Sequence, residues 1–61
     1  MAIEKEIRKI LKREHPNAVN IELNEWGNWD VTCCDGYEEE IYTYSYSNSW
    51  LHYIGVTRVE I

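Results

Sequence analysis

The chain has no phenylalanine, one proline, three glycines and only two cysteines, and after residue 15 its only lysine or arginine is Arg58. No apolar run approaches the roughly 18–20 residues that cross a bilayer, and no apolar leader segment follows Met1, so neither a membrane span nor a secretory signal is expected. The glycines, Gly27, Gly36 and Gly55, are too dispersed to form a phosphate-cradling loop. Cys33 and Cys34 are adjacent, which strains a mutual disulfide and does not suit a secreted disulfide framework. Neighbours on a strand also point to opposite faces, whereas a zinc knuckle needs two thiolates aimed at one ion. Cys33 is expected as a small core residue and Cys34 as a thiol near a hairpin. No metal and no cofactor are expected, and the location implied is cytoplasmic.

What is present is aromatic and acidic. Sixty-one residues carry three Trp and five Tyr, with 44% apolar residues and a net charge of −5. That is too hydrophobic for a disordered tail, yet the length suffices for one domain only, residues 1–61, with a small core. The charge is unevenly divided. Up to His15, Glu4, Glu6 and Glu14 stand against Lys5, Arg8, Lys9, Lys12 and Arg13, a net of +2. From Pro16 onward, Glu22, Glu25, Asp30, Asp35, Glu38, Glu39, Glu40 and Glu60 stand against Arg58, a net of −7.

Ile3, Ile7, Ile10 and Leu11 share one stripe at helical spacing, and Pro16 stops the helix, which is expected over about 2–15. Val19, Ile21 and Leu23 then alternate with polar residues as a strand over about 18–24. A turn at Glu25-Trp26-Gly27-Asn28 leads to a second strand, about 28–34, in which Trp29, Val31 and Cys33 alternate with Asp30, Thr32 and Cys34. A third strand is expected over about 37–46. After the turn signal Ser47-Asn48-Ser49, a fourth covers about 50–61 and is interrupted at Gly55. The competing assignment for Trp50 to Ile54 is a short helical turn capped by Ser49. The fold class is α+β, in the order α-β-β-β-β: one N-terminal helix packed on one face of a three- to four-stranded antiparallel sheet.

The hairpin between strands two and three decides which side chains share a face. A two-residue Asp35-Gly36 turn pairs Cys34 with Tyr37 and turns Glu38 and Glu40 toward the core. A three-residue Cys34-Asp35-Gly36 loop with a glycine bulge pairs Cys33 with Tyr37 and Trp29 with Ile41, collecting Trp29, Val31, Cys33, Tyr37 and Ile41 on the core side, with Glu39 as the misfit. Keeping most charge out of the core favours the second register. It leaves Asp30, Glu38, Glu40, Tyr42, Tyr44 and Tyr46 together on the open face.

Tyrosines anchor interfaces at low entropic cost, and carboxylates around them steer a cationic partner. The expected function is therefore a non-enzymatic protein-binding domain, docking through those six residues on a basic protein surface, such as that of a nucleic-acid-binding protein. Carboxylates along a strand can occupy phosphate sites, as a nucleic-acid mimic would. In size and charge the chain is similar to small acidic phage-encoded inhibitors of host enzymes, an analogy of class and not of motif. The alternative is a structural module that forms a homodimer through its open sheet face or an edge strand. The second alternative is nucleic-acid binding through Lys5, Arg8, Lys9, Lys12 and Arg13, which the net negative charge opposes. Carboxylate acid-base chemistry and a Cys34-histidine nucleophile lack any sign of a pocket that would tune them.

Overall fold

The computed structural model describes residues 3–60, so the expected ends of the helix at residue 2 and of the last strand at Ile61 lie outside the described residues. Helix α1 (Ile3–Glu14) precedes β1 (Ala18–Leu23), β2 (Trp29–Cys34), β3 (Glu38–Ser47) and β4 (Trp50–Glu60). The strands form one antiparallel sheet in sequence order, so β1 and β4 are its edges.

Local chemistry sets each boundary. Glu4 and Glu6 occupy the first turn of α1 and Lys12 and Arg13 the last, each sign at the end where the helix dipole favours it. The amide of His15 donates to the Leu11 carbonyl and closes the helix; Pro16 then sits second in a turn joined by Ala18 N–H and His15 C=O at 3.0 Å. Between β1 and β2, Asn24 Oδ1 accepts the amides of Trp26 and Asn28, each at 2.9 Å, and Gly27 takes φ 81°, a conformation a Cβ would strain. The β3–β4 hairpin turns on Asn48 and Ser49, both left-handed at φ 52° and 66°, as a primed two-residue turn requires.

The core is narrow. Ile7 and Leu11 of α1 are buried with Trp29, Val31 and Cys33 of β2. Ile3 and Ile10, expected in the same apolar stripe, are each 42% exposed, because the helix lies against β1 and covers only one side of the sheet face. Val19, expected to alternate inward with Ile21, is exposed. It is the extra residue of a bulge, since Ala18 pairs with Cys33 and Asn20 with Thr32. Trp50 to Ile54 is strand, not helical turn. The irregularity expected at Gly55 falls one residue earlier, on Ile54, for which β3 supplies no partner between Thr43↔Gly55 and Tyr44↔Tyr53.

The β2–β3 register differs from expectation. Cys34 pairs with Glu39, Cys33 with Glu40 and Trp29 with Tyr44, not Cys33 with Tyr37 or Trp29 with Ile41. The connection is a two-residue turn on Gly36 and Tyr37, flanked by the Asp35 N–H to Glu38 C=O bond, with Gly36 at φ 96°. Asp35 Oδ1 accepts the amides of Tyr37 and Glu38 at 2.9 and 2.8 Å and locks the turn. The shift is by an odd number of residues, so β3 is turned over. Tyr42, Tyr44 and Tyr46 pack against the core cluster on the helix side, whereas Tyr37 is exposed at the turn and Ile41 lies opposite Thr32 on the other face.

Ser49 adopts a left-handed conformation without the freedom of glycine. Ser49→Gly should therefore raise stability by about 0.5–1 kcal/mol, seen as a rise in Tm of roughly 2–8 °C in thermal denaturation.

Candidate functional site

Because α1 lies against β1, the β3–β4 half of the same sheet face is left partly open. Tyr42, Tyr44 and Tyr46 alternate along β3 there, opposite Val56, Tyr53 and Leu51 of β4. His15, just past the helix, reaches over this half. Its ring lies 4.5 Å from that of Tyr42 and 5.9 Å from that of Tyr44, and its Nε2 is 2.7 Å from the Tyr44 hydroxyl. Tyr44 in turn meets Tyr53 edge-on at 5.6 Å, and Tyr42 lies 6.4 Å from Tyr53. His15, which directly follows α1, thus holds an aromatic cluster together. The signal for it in the sequence is weak: a histidine before the helix-ending proline.

The row continues into carboxylates. Glu40 faces Cys33 on the core side, but beyond the area the helix covers, and it is paired with Arg58 directly across on β4 at 2.9 Å. The Tyr42 hydroxyl donates to Glu40 at 3.3 Å. Glu38, opposite Glu60, is exposed farther out. With Asp35, Glu39 and Glu60, these residues make that end of the sheet acidic.

Five of the six expected docking residues therefore follow one strand on one face. Asp30 does not join them. It pairs with Thr43 on the reverse face and is held by the Asn24 amide nitrogen at 3.3 Å and the Thr43 hydroxyl at 3.2 Å. The expected open face of six residues is corrected accordingly: the tyrosines share the helix side of the sheet, and Asp30 the other side.

Burial raises the Tyr44 phenol above the usual 10, aided by the negative charge of Glu14 and the neighbouring tyrosines. Burial also raises Tyr42, with Glu40 adding to the effect through its charge and hydrogen bond. At neutral pH both phenols are protonated. The cluster offers aromatic faces, phenolic donors and carboxylate acceptors, which suit a guanidinium or ammonium group lying over a ring with its N–H groups on oxygen.

The helix cations are placed differently. Lys5, Arg8, Lys9 and Lys12 line a groove of about 520 Å³ with Ala18, Val19, Asn20 and Ile21 of β1, and Arg13 lies outside that lining. Arg8 donates to the Ile21 carbonyl and stacks over Trp29 with 5.1 Å to the ring centre. Lys12 donates to the carbonyls of Pro16 and Ala18 at 3.0 and 2.9 Å. Two of the four groove cations thus cover backbone acceptors of the β1 edge instead of standing free for phosphate.

Cys33 is buried and Cys34 exposed, and burial followed by the charge of Glu40 raises the Cys33 thiol above its usual range. Among the described residues, no group of three or more His, Cys, Asp or Glu side chains is placed to hold a metal ion, and no helix is long and apolar enough to cross a membrane. Comparison with known proteins finds no family model, curated protein or solved structure that matches the chain.

Two measurements check this geometry. A phenol whose pKa is raised on folding contributes stability that is complete below its unfolded value, near 10, and lost as pH rises through the folded value. Stability should therefore fall above pH 10, less steeply in Tyr44→Phe, which should itself cost about 1 kcal/mol at neutral pH by leaving His15 without its partner. Urea denaturation at stepped pH reads both effects. Limiting iodoacetamide should alkylate Cys34 in the folded chain and both cysteines after denaturation, as peptide mass spectrometry would show.

Proposed function

We propose that this chain is a non-enzymatic binding domain that docks a positively charged protein surface on the β3–β4 half of its helix-side sheet face. The observation that carries this reading is the unbroken run of Glu38, Glu40, Tyr42, Tyr44 and Tyr46 along one strand, left accessible because the helix lies to one side. Tyr42 and Tyr44 are already held by His15 and Tyr53, so little of their side-chain freedom is lost on binding. The acidic end adds attraction for a basic partner. A nucleic-acid-binding protein is a natural target, because its cationic groove complements carboxylates spaced along a strand, and occupying that groove would block it as a nucleic-acid mimic does.

Direct nucleic-acid binding through Lys5, Arg8, Lys9, Lys12 and Arg13 is the weaker reading, since Arg8 and Lys12 are bonded to the β1 edge and the chain carries −5.

The test is a fluorescence titration of the intact chain with an arginine-rich peptide at low and high salt. Glu38→Lys/Glu40→Gln should weaken binding roughly tenfold, while Glu22→Lys/Glu25→Gln, the same change of net charge at exposed positions remote from the row, should leave it near wild type. Equal losses in both variants would mean that net charge alone attracts the peptide, and the docking face would be wrong. Glutamine at position 40 avoids setting a second cation against Arg58.

A further inference from the structure

The two edges of the sheet are treated differently. β1 is short, bulged at Val19, and has its Ala18 and Ile21 carbonyls covered by Lys12 and Arg8. β4 runs for eleven residues, and among the described residues no side chain hydrogen-bonds to its backbone. It contains neither proline nor lysine, the usual guards of an open edge, and it exposes Trp50, Tyr53, Ile54, Val56 and Val59. The bulge at Ile54 is its only such irregularity, and there it turns an apolar side chain outward, 56% exposed.

The chain also hides too little surface for its mass. A compact monomer of 7.3 kDa exposes about 4,200 Å², whereas this one exposes 4642 Å². Its radius of gyration is 11.5 Å, where about 10.5 Å is usual for this length. Removing that excess of roughly 450 Å² from each of two copies would bury about 900 Å², below the roughly 1,000 Å² that a stable specific interface clears and in keeping with a weak, reversible one.

We infer that β4 pairs antiparallel with β4 of a second copy of this chain, joining two four-stranded sheets into one of eight strands. Charge selects the antiparallel direction. Glu60 lies at the acidic end of the sheet beside Glu38, while Trp50 and His52 at the other end face Ser47 and Ser45. With the two-fold axis near Gly55 and the Ile54 bulge of each copy left out of the pairing, Arg58 lies across from Leu51 and Val59 from Trp50 on matching faces, and the two acidic ends stand at opposite ends of the seam. A parallel pairing would set Glu60 against Glu60. In the antiparallel dimer the open halves lie side by side between two outer helices, so Tyr42, Tyr44 and Tyr53 of both copies line one continuous face. The interface is small, which implies micromolar association.

The test is sedimentation velocity of the full chain from about 1 µM to 1 mM, with no basic partner present, so that its outcome is independent of the docking function. Twice the 7.3 kDa chain mass should appear as concentration rises. Ile54→Lys and Val59→Lys, both at exposed positions, should weaken association by roughly tenfold or more, with an unchanged far-ultraviolet circular dichroism spectrum, while Val19→Lys on the other edge leaves it intact. Amide exchange within β4 should slow in the dimer. A monomer at every concentration, equal loss with Val19→Lys, or a dimer whose β4 amides exchange as fast as in the monomer would each overturn the inference.

Discussion

The tight turn at Gly36 and Tyr37 fixes more of this molecule than any other contact. Asp35 accepts two consecutive backbone amides through one carboxylate oxygen, which also holds its pKa below the ordinary 3.8, with the Glu38 amide as the larger cause. Gly36 supplies the positive φ. Together they set β3 against β2 with Cys34 opposite Glu39. A slip of one residue would carry Tyr42 and Tyr44 away from His15 and Glu40 away from the face of Arg58. Trp29 and Val31 would then lose the tyrosine wall beside them.

The second constraint is the size of the helix. Twelve residues cover two strands of a four-strand sheet, and five buried side chains make up the core among the described residues. Tyrosine solves the remaining half-face in a way that phenylalanine would not. The Tyr42 and Tyr44 rings pack on their neighbours while their hydroxyls find Glu40 and His15, so a partly wet surface is tolerated without exposing a purely apolar patch. The absence of phenylalanine is thus consistent with a face that is never fully buried in the single chain.

Element type and order were legible from periodicity. The helical stripe, the alternation in Ile21 and Leu23, and the Trp29-Val31-Cys33 series each report local geometry, and the structure has all four strands close to where these patterns put them. Register was not legible. Excluding Glu40 from the core side is sound for an isolated charge, but Arg58, eighteen residues later, stands directly opposite it on β4. The distance from the helix also matters: Glu40 shares a face with the core without lying under α1. The bulges at Val19 and Ile54 were hidden for a similar reason, since an extra residue is defined by the partner strand and not by its own neighbours in sequence. The candidate site was legible as residues more than as a surface. Glu38, Glu40 and the three tyrosines do share a strand face, but the face was assigned to the wrong side, and Asp30 belongs to its reverse.

The same asymmetry that exposes the tyrosines also determines how the sheet edges are used. A helix placed centrally would have covered Tyr42 and Tyr44 and left both edges bare. Displaced toward β1, it brings Arg8 and Lys12 within reach of that strand's carbonyls and leaves β4 and the tyrosine half-face open together. The basic charge of the helix is therefore spent locally on edge protection, and the acidic charge of the sheet is left to act at a distance. A partner drawn by those carboxylates meets Tyr42 and Tyr44 already ordered, next to an edge whose backbone, among the described residues, no side chain covers. One displacement of a twelve-residue helix accounts for both open surfaces, so docking and edge pairing have a common structural origin even though each can be tested without the other.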